Sequence, residues 1–249
     1  MDFAFVPQTD STNRHLKLVA EYELQKNKHL DDFFVLCADV QTAGRGQGMN
    51  RWHSERGVNL LASFYFEPPL PPNGQFVFNQ FFALMVRDTL ARYVDGVKIK
   101  WPNDIYVGNS KIAGILIEHN LIGNKIRYTI AGLGLNLNQT HFPECLPNPV
   151  SLKMLTGKEF DRKTYLKEMM AEGRGYYELL KENDFATLNK LYLKYLYRFQ
   201  EECEYEVQGR KVSAIIMGID DYGRLLLRTD AGENLVCGMQ EVKFCMESR

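Results

Sequence analysis

Apolar residues recur along this chain in two rhythms, every second position in some stretches and every third or fourth in others. Val97, Ile99 and Trp101 alternate with polar neighbours, as in a half-buried strand. Pro102 has no N–H to give a sheet, so it belongs at a strand end or a bulge. Ile105-Tyr106-Val107 is rich in β-formers, Gly108-Asn109 is a two-residue hairpin signal, and a returning strand begins near Lys111. Upstream, Asp10-Ser11-Thr12-Asn13 is an N-cap cluster ahead of Leu16, Val19, Ala20 and Leu24, which share a helical stripe. Residues 33–40 read as an apolar strand interrupted by Asp39. In 57–67 both alternating sets are largely apolar, which predicts a strand covered by helices. Phe78, Phe81, Phe82, Met85, Val86, Thr89 and Leu90 form the broad core stripe of a helix over 76–93.

Farther on, strands over 115–121 and 125–138 flank a turn at Gly123-Asn124. Gly132 and Gly134 lie on one face of the second strand and open it to close approach, either by packing or by a ligand. A short helical turn over 152–155 stops at Gly157, Asp161 caps a helix running to 180, and a further helix is predicted over 185–199. From Glu204 the rhythm changes to short strands over 205–207, 211–219, 225–228, 235–237 and 242–245. Turns at Gln208-Gly209, Asp221-Tyr222-Gly223 and Asp230-Ala231-Gly232 separate the first four. That spacing predicts a small all-β unit of SH3-like size. The expected fold class is α+β, with a helix-covered sheet domain over 1–200 and the small β domain over 201–249.

Composition narrows the function classes. The 249 residues carry a net charge of −1, which offers no bulk attraction to nucleic acid. With 45% hydrophobic and 24% charged residues the chain is of ordinary globular type. No apolar run approaches the roughly 20 residues of a membrane span, and the first ten residues are not a signal peptide. The five cysteines are scattered and form no CxxC pair, so reduced thiols and a cytoplasmic location are expected. The histidines do not fall at metal-ligand spacing.

Chemistry concentrates in three places. The run Gln41-Thr42-Ala43-Gly44-Arg45-Gly46-Gln47-Gly48-Met49-Asn50-Arg51-Trp52 follows a strand and brings glycine N–H groups together with Arg45 and Arg51. Such a loop suits an anion. It is neither a Walker loop, lacking Gly-Lys-Ser/Thr, nor a dinucleotide fingerprint. The hairpin Lys100-Trp101-Pro102-Asn103-Asp104 … Lys111-Ile112-Ala113-Gly114-Ile115-Leu116-Ile117-Glu118 sets Asn103 and Asp104 at an expected backbone irregularity, Lys111 on the returning strand and Gly114 where a close approach is possible. The third place is the helix start at Ser11-Thr12-Asn13, whose hydroxyl and amide groups suit a polar ligand head.

Trp-Pro-Asn-Asp, the turn and Lys-x-Ala-Gly-Ile-Leu-x-Glu together resemble the signature hairpin of biotin–protein ligases, and the other motifs follow in that family's order across nearly the whole chain. The resemblance implies a class II synthetase-like catalytic domain with a small C-terminal SH3-like barrel. It implies ATP-dependent activation of biotin to biotinyl-5′-AMP and transfer to a lysine of a biotin carboxyl carrier protein, with Mg²⁺ as cofactor. By that resemblance Ser11, Thr12, Asn13, Gln41, Arg45, Gly46, Gln47, Lys111 and Gly114 bind biotin. Arg45, Trp52, Asn103, Lys111, Gly134 and Asn136 bind nucleotide, with Trp52 stacking on adenine. Arg45, Lys111 and Asp104 are the catalytic set, Asp104 either handling the carrier lysine's proton or holding metal.

The loop departs from the family pattern, because Gln47, Gly48 and Met49 stand where a second arginine is common. Gln47 can donate a hydrogen bond but brings no charge. Some family members begin with a DNA-binding helix-turn-helix; here the catalytic motifs start at once, so no DNA partner is expected, and monomer and homodimer both stay open. Two rivals remain: a lipoate or octanoate ligase or transferase of the same fold, and a non-catalytic biotin- or carrier-binding module.

Overall fold

The computed structural model describes residues 3–48 and 50–245, so Met49 of the glycine-rich loop lies outside the described residues. A long central hairpin organises the larger sheet. Strands β6 (Ser110–Ile122) and β7 (Lys125–Leu135) run antiparallel around Gly123, whose φ of 55° is the left-handed value that favours glycine. Beyond β7 lie β3 (Leu60–Phe66), β2 (Phe34–Ala38) and β1 (Phe3–Val6); beyond β6 lie β5 (Asp104–Val107) and β4 (Val97–Lys100). β1 pairs with β2 in parallel and the other neighbours are antiparallel, so the seven-stranded sheet is mixed.

The two faces of this sheet differ. One lies under α2 (Gln75–Ala91), α4 (Arg162–Lys181) and α5 (Phe185–Tyr195) and forms the main core. There Phe33, Phe64, Phe66, Phe78, Phe81, Phe82 and Tyr177 make a chain of ring contacts. Each such fully buried ring stabilises the fold by about 1.5–3 kcal/mol. The opposite face is covered only in part, by α1 (Thr12–Gln25), whose Leu16 and Ala20 pack on Leu36, Tyr65, Tyr128 and Ile130. Being covered on both faces, β3 is buried at every position, as its doubly apolar pattern predicts.

The second sheet is five-stranded and antiparallel, in the order β11 (Asn234–Cys237), β10 (Leu225–Thr229), β9 (Arg210–Ile219), β8 (Glu202–Val207), β12 (Val242–Phe244). It docks on the first through Trp101, whose Nε1 donates to the Gly223 carbonyl at 2.9 Å. Gly223 is required twice there: its φ is 82°, and a Cβ would stand 2.3 Å from the Phe76 ring.

Two local expectations change. α5 ends at Tyr195 rather than 199, because Leu196 turns extended and the Tyr197 N–H donates to Ile99 O at 2.8 Å, attaching the chain to β4. Ser11 precedes α1 but its side chain makes no capping bond; the Thr12 N–H donates instead to Gln41 Oε1 at 2.8 Å. α3 (Leu152–Thr156) and α4 do carry side-chain caps, from Ser151 and Asp161. No helix among the described residues is long and apolar enough to cross a membrane.

His119 on β6 packs edge-on against Phe78 with Nδ1 2.8 Å from Thr129 Oγ1, and burial pulls its pKa down to about 4. The unfolded chain therefore takes up this proton first, near pH 6.5. The stability owed to neutral His119 is complete above pH 6.5 and is lost as pH falls toward 4. Between pH 7 and 4.5 the loss is about 2–3 kcal/mol. Urea unfolding at the two pH values is expected to show that much smaller a fall for His119→Gln than for the wild type; equal falls would refute the assignment.

Candidate functional site

The register of the first sheet draws a straight row across its half-open face. Lys100 opposes Asp104, Asp104 opposes Gly114, Gly114 opposes Gly134, and Gly134 opposes Leu61. Directly opposed residues share a face, so these side chains rise on the side that α1 leaves uncovered. Lys111 should not join them: three residues from Gly114, a regular strand would turn it into the core. A β-bulge changes this. Tyr106 opposes Lys111, Ile105 opposes Ala113, and Ile112 is the extra residue. Ile112 and Ala113 both enter the core, and Lys111 emerges on the face of Asp104. Its ammonium lies 2.7 Å from Asp104 Oδ1. The bulge thus sits on the returning strand, while the irregularity at Asn103-Asp104 is a turn over 101–103 with a cis Trp101–Pro102 peptide. Asn103 clamps β6 instead, its Nδ2 donating to Ile115 O at 2.6 Å and its carbonyl accepting from Ile115 N.

Above the row lies a cavity of about 350 Å³. Its glycine floor is shaped by the side chains that rest on it. A Cβ on Gly132 would stand 2.2 Å from Asn13 Oδ1, and one on Gly134 would stand 2.4 Å from the Trp52 ring. One on Gly114 would stand 3.0 Å from Trp52 and 3.4 Å from Lys111 Nζ. Trp52 therefore lies across two strands with one ring face covered, and its buried Nε1 has no hydrogen-bond partner among the described residues.

At one end the start of α1 supplies Ser11, Thr12 and Asn13, all buried. Gln41 accepts from both the Thr12 N–H and hydroxyl, and Ser63 Oγ donates to Asn13 Oδ1 at 2.6 Å. Asn13 Nδ2 donates to Leu116 O and to Glu118 Oε2 at 2.8 Å; the other Glu118 oxygen holds Arg45 at 3.1 Å. Glu118 thus joins the glycine-rich loop to the helix start. It stood in the hairpin motif with no role assigned, and only the fold reveals its partners.

The loop carries Arg45, Gly46 and Gln47 over the cavity and is pinned by an antiparallel backbone β-bridge between Arg45 and Arg51 and by the Trp52 N–H donating to Gly44 O at 3.1 Å. Gln47 Nε2 reaches Met239 Sδ of the second sheet at 2.9 Å. That sheet closes the far end with Val242 and Phe244. Among the described residues lining the cavity, Asp104 is the sole acid against Arg45, Arg51, Lys100, Lys111 and Lys243.

Asn136 is placed differently. It is buried, donates to Val150 O at 3.1 Å, and lines a smaller cavity of about 90 Å³ behind Trp52 and Lys111 with Asn148 and Pro149. No group of three or more His, Cys, Asp or Glu residues able to hold a metal occurs among the described residues.

The Biotin/lipoate A/B protein ligase family matches residues 5–136, and the Biotin protein ligase C terminal domain matches residues 201–246. A bifunctional ligase/repressor BirA from Bacillus spizizenii is 30% identical over 211 residues, covering 83% of this chain and 65% of the relative; the chain therefore spans about two-thirds of that relative's length. The biotin--[acetyl-CoA-carboxylase] ligase of Paracoccus denitrificans is 28% identical over 238 residues, covering 92% and 95%. Among solved structures, the biotin protein ligase from Aquifex aeolicus in complex with biotin and ATP shares the fold with a TM-score of 0.78 at 24% identity, over 98% of this chain and 99% of that one. With residues of both sheets matched, the chain belongs to the biotin/lipoate A/B protein ligase family.

Proposed function

We propose that this protein is an ATP-dependent biotin–protein ligase, acting in the cytoplasm on a biotin carboxyl carrier domain. Residues 1–200 would be the catalytic unit and 201–249 the C-terminal domain. The observation that carries this reading is the convergence of Arg45, Lys111 and Asp104 on the same cavity as the polar start of α1.

Biotin's ureido ring, one carbonyl flanked by two N–H groups, meets Ser11, Thr12, Asn13 and Gln41. Its chain runs over the floor at Gly114 and its carboxylate reaches Lys111. The uncovered face of Trp52 stacks on adenine with Asn103 beside the nucleotide, while Gly134 supports the covered face of the ring from below and Asn136, in the smaller cavity, lies outside this contact set. A biotin carboxylate oxygen then attacks the α-phosphorus, and the bond to the bridging oxygen breaks. Two anions must meet for this, and Arg45 and Lys111 neutralise them in a partly dry site. In the second step the carrier lysine's nitrogen attacks the acyl carbon, AMP leaves with the electron pair, and Asp104 orients the amine and takes its proton. The donor set fits a Mg²⁺ arriving with ATP, since this ion takes one or two carboxylates plus substrate phosphates. In that competing role Asp104 would supply the carboxylate in place of taking the amine's proton, and the ion would neutralise phosphate charge.

Incubation of the full chain with biotin, MgATP and an apo carrier domain tests this. Streptavidin-detectable carrier is expected only with ATP present, and lipoate in excess is expected not to compete. Equal competition would assign the protein to the lipoate branch of the family; binding of biotin without turnover would make it a sensing module.

A further inference from the structure

Neither step described above uses Lys100, yet it ends the charged row on β4, beside Asp104 and on the cavity wall. Its ammonium donates to Tyr106 Oη at 3.0 Å and lies 4.6 Å from that ring's centre and 5.2 Å from the centre of the Phe244 ring. No carboxylate among the described residues forms an ion pair with it, because Asp104 is committed to Lys111. An ammonium has three N–H donors, and Tyr106 takes one. Burial lowers the Lys100 pKa; Asp104 opposes that and Arg198 adds to it. A half-dry cation with unused donors beside a ligand cavity is a site for an anion.

The register says which anion. The polar pocket at Asn13 lies over β7, Lys111 rises from β6, Asp104 from β5 and Lys100 from β4. Strands stand about 4.8 Å apart. A carboxylate that comes from the α1 side and meets the α-phosphorus at Lys111 has its leaving group on the opposite side, since attacking and leaving oxygens are in line. Continued past Asp104, that line ends at Lys100. We propose that Lys100, capped by Phe244 of the second sheet, binds the β- and γ-phosphates of the nucleotide and holds the departing pyrophosphate. The proposal rests on the biotin-activation reading. In the step concerned, biotin's O–P bond forms, the bond from the α-phosphorus to the bridging oxygen breaks, and pyrophosphate carries off the electron pair with no proton transferred. The charge that collects on that bridging oxygen is what Lys100 neutralises.

Calorimetric titration of the full chain with inorganic pyrophosphate, and separately with biotin, tests this. Lys100→Gln is expected to weaken pyrophosphate binding and raise the KM for ATP by about tenfold or more, while the dissociation constant for biotin stays within about twofold. Lys100→Arg, which keeps the charge, should recover most of the loss. Single-turnover transfer from supplied biotinyl-5′-AMP, which has no pyrophosphate, checks that the variant is folded. If Lys100→Gln binds pyrophosphate as the wild type does, Lys100 is only a brace between Tyr106 and Phe244, and the proposal fails while the ligase reading stands. If wild-type protein with biotin and MgATP releases no pyrophosphate, the ligase reading fails and takes this proposal with it.

Discussion

Replacing Lys111 by alanine is expected to lower biotin-dependent ATP–pyrophosphate exchange by about a thousandfold or more, on the scale of losing a preorganised charge in a dry site. The melting temperature should change little, since the side chain is one-third exposed and packs into no core cluster. Two effects add. The cation that brings carboxylate and phosphate together is gone, and Asp104, now without its partner at 2.7 Å, becomes a bare negative charge where two anions must meet. Removing that charge as well should therefore restore some nucleotide binding: Lys111→Ala/Asp104→Asn is expected to bind ATP more tightly than Lys111→Ala alone, while exchange stays low. Radiolabelled pyrophosphate exchange reads the first effect and ATP titration the second. Exchange within tenfold of wild type in Lys111→Ala would remove this lysine from the chemistry.

The local parts of this site are written in the chain, and the long-range parts are not. The Gly108-Asn109 turn, the strand ends around it, the Asp161 cap and the left-handed stop at Gly157 follow from residues a few positions apart. The glycine-rich loop and the Ser11-Thr12-Asn13 helix start are visible for the same reason. The bulge is harder to see, because Ile112-Ala113 is an unremarkable apolar pair until Ile105 and Tyr106 are paired against it. Gly132 and Gly134 announce a close approach but not its cause. Asn13 and Trp52, which occupy the space a Cβ would need, arrive from far earlier in the sequence. Glu118 and Lys100 escaped notice as site residues because their importance lies in partners on other elements. The end of α5 moved for a similar reason, as a tertiary bond from Tyr197 to Ile99 overrode a favourable helical stripe.

Gly134→Ala is expected to have the second large effect, and it isolates the floor on which the site rests. Its Cβ would stand 2.4 Å from Trp52 Cε2 and 2.5 Å from Cδ2, and a rigid indole cannot give way as a flexible chain would. The ring must leave the floor, and because the Trp52 N–H bonds Gly44 O, the arginine loop is expected to shift with it. Overpacking of this kind typically costs about 1–3 kcal/mol, and misplacing Arg45 should lower adenylate formation by about a hundredfold. The test is a double-mutant cycle on stability. Once Trp52 is alanine the clash partner is gone, so Gly134→Ala in that background should be neutral or stabilise by up to about 1 kcal/mol, in line with the ordinary preference of a strand for alanine over glycine. A coupling of at least about 1 kcal/mol is therefore expected between two residues 82 positions apart in the chain. If the two substitutions simply add, Trp52 does not lie on Gly134, and the glycine at that position answers to something other than the tryptophan.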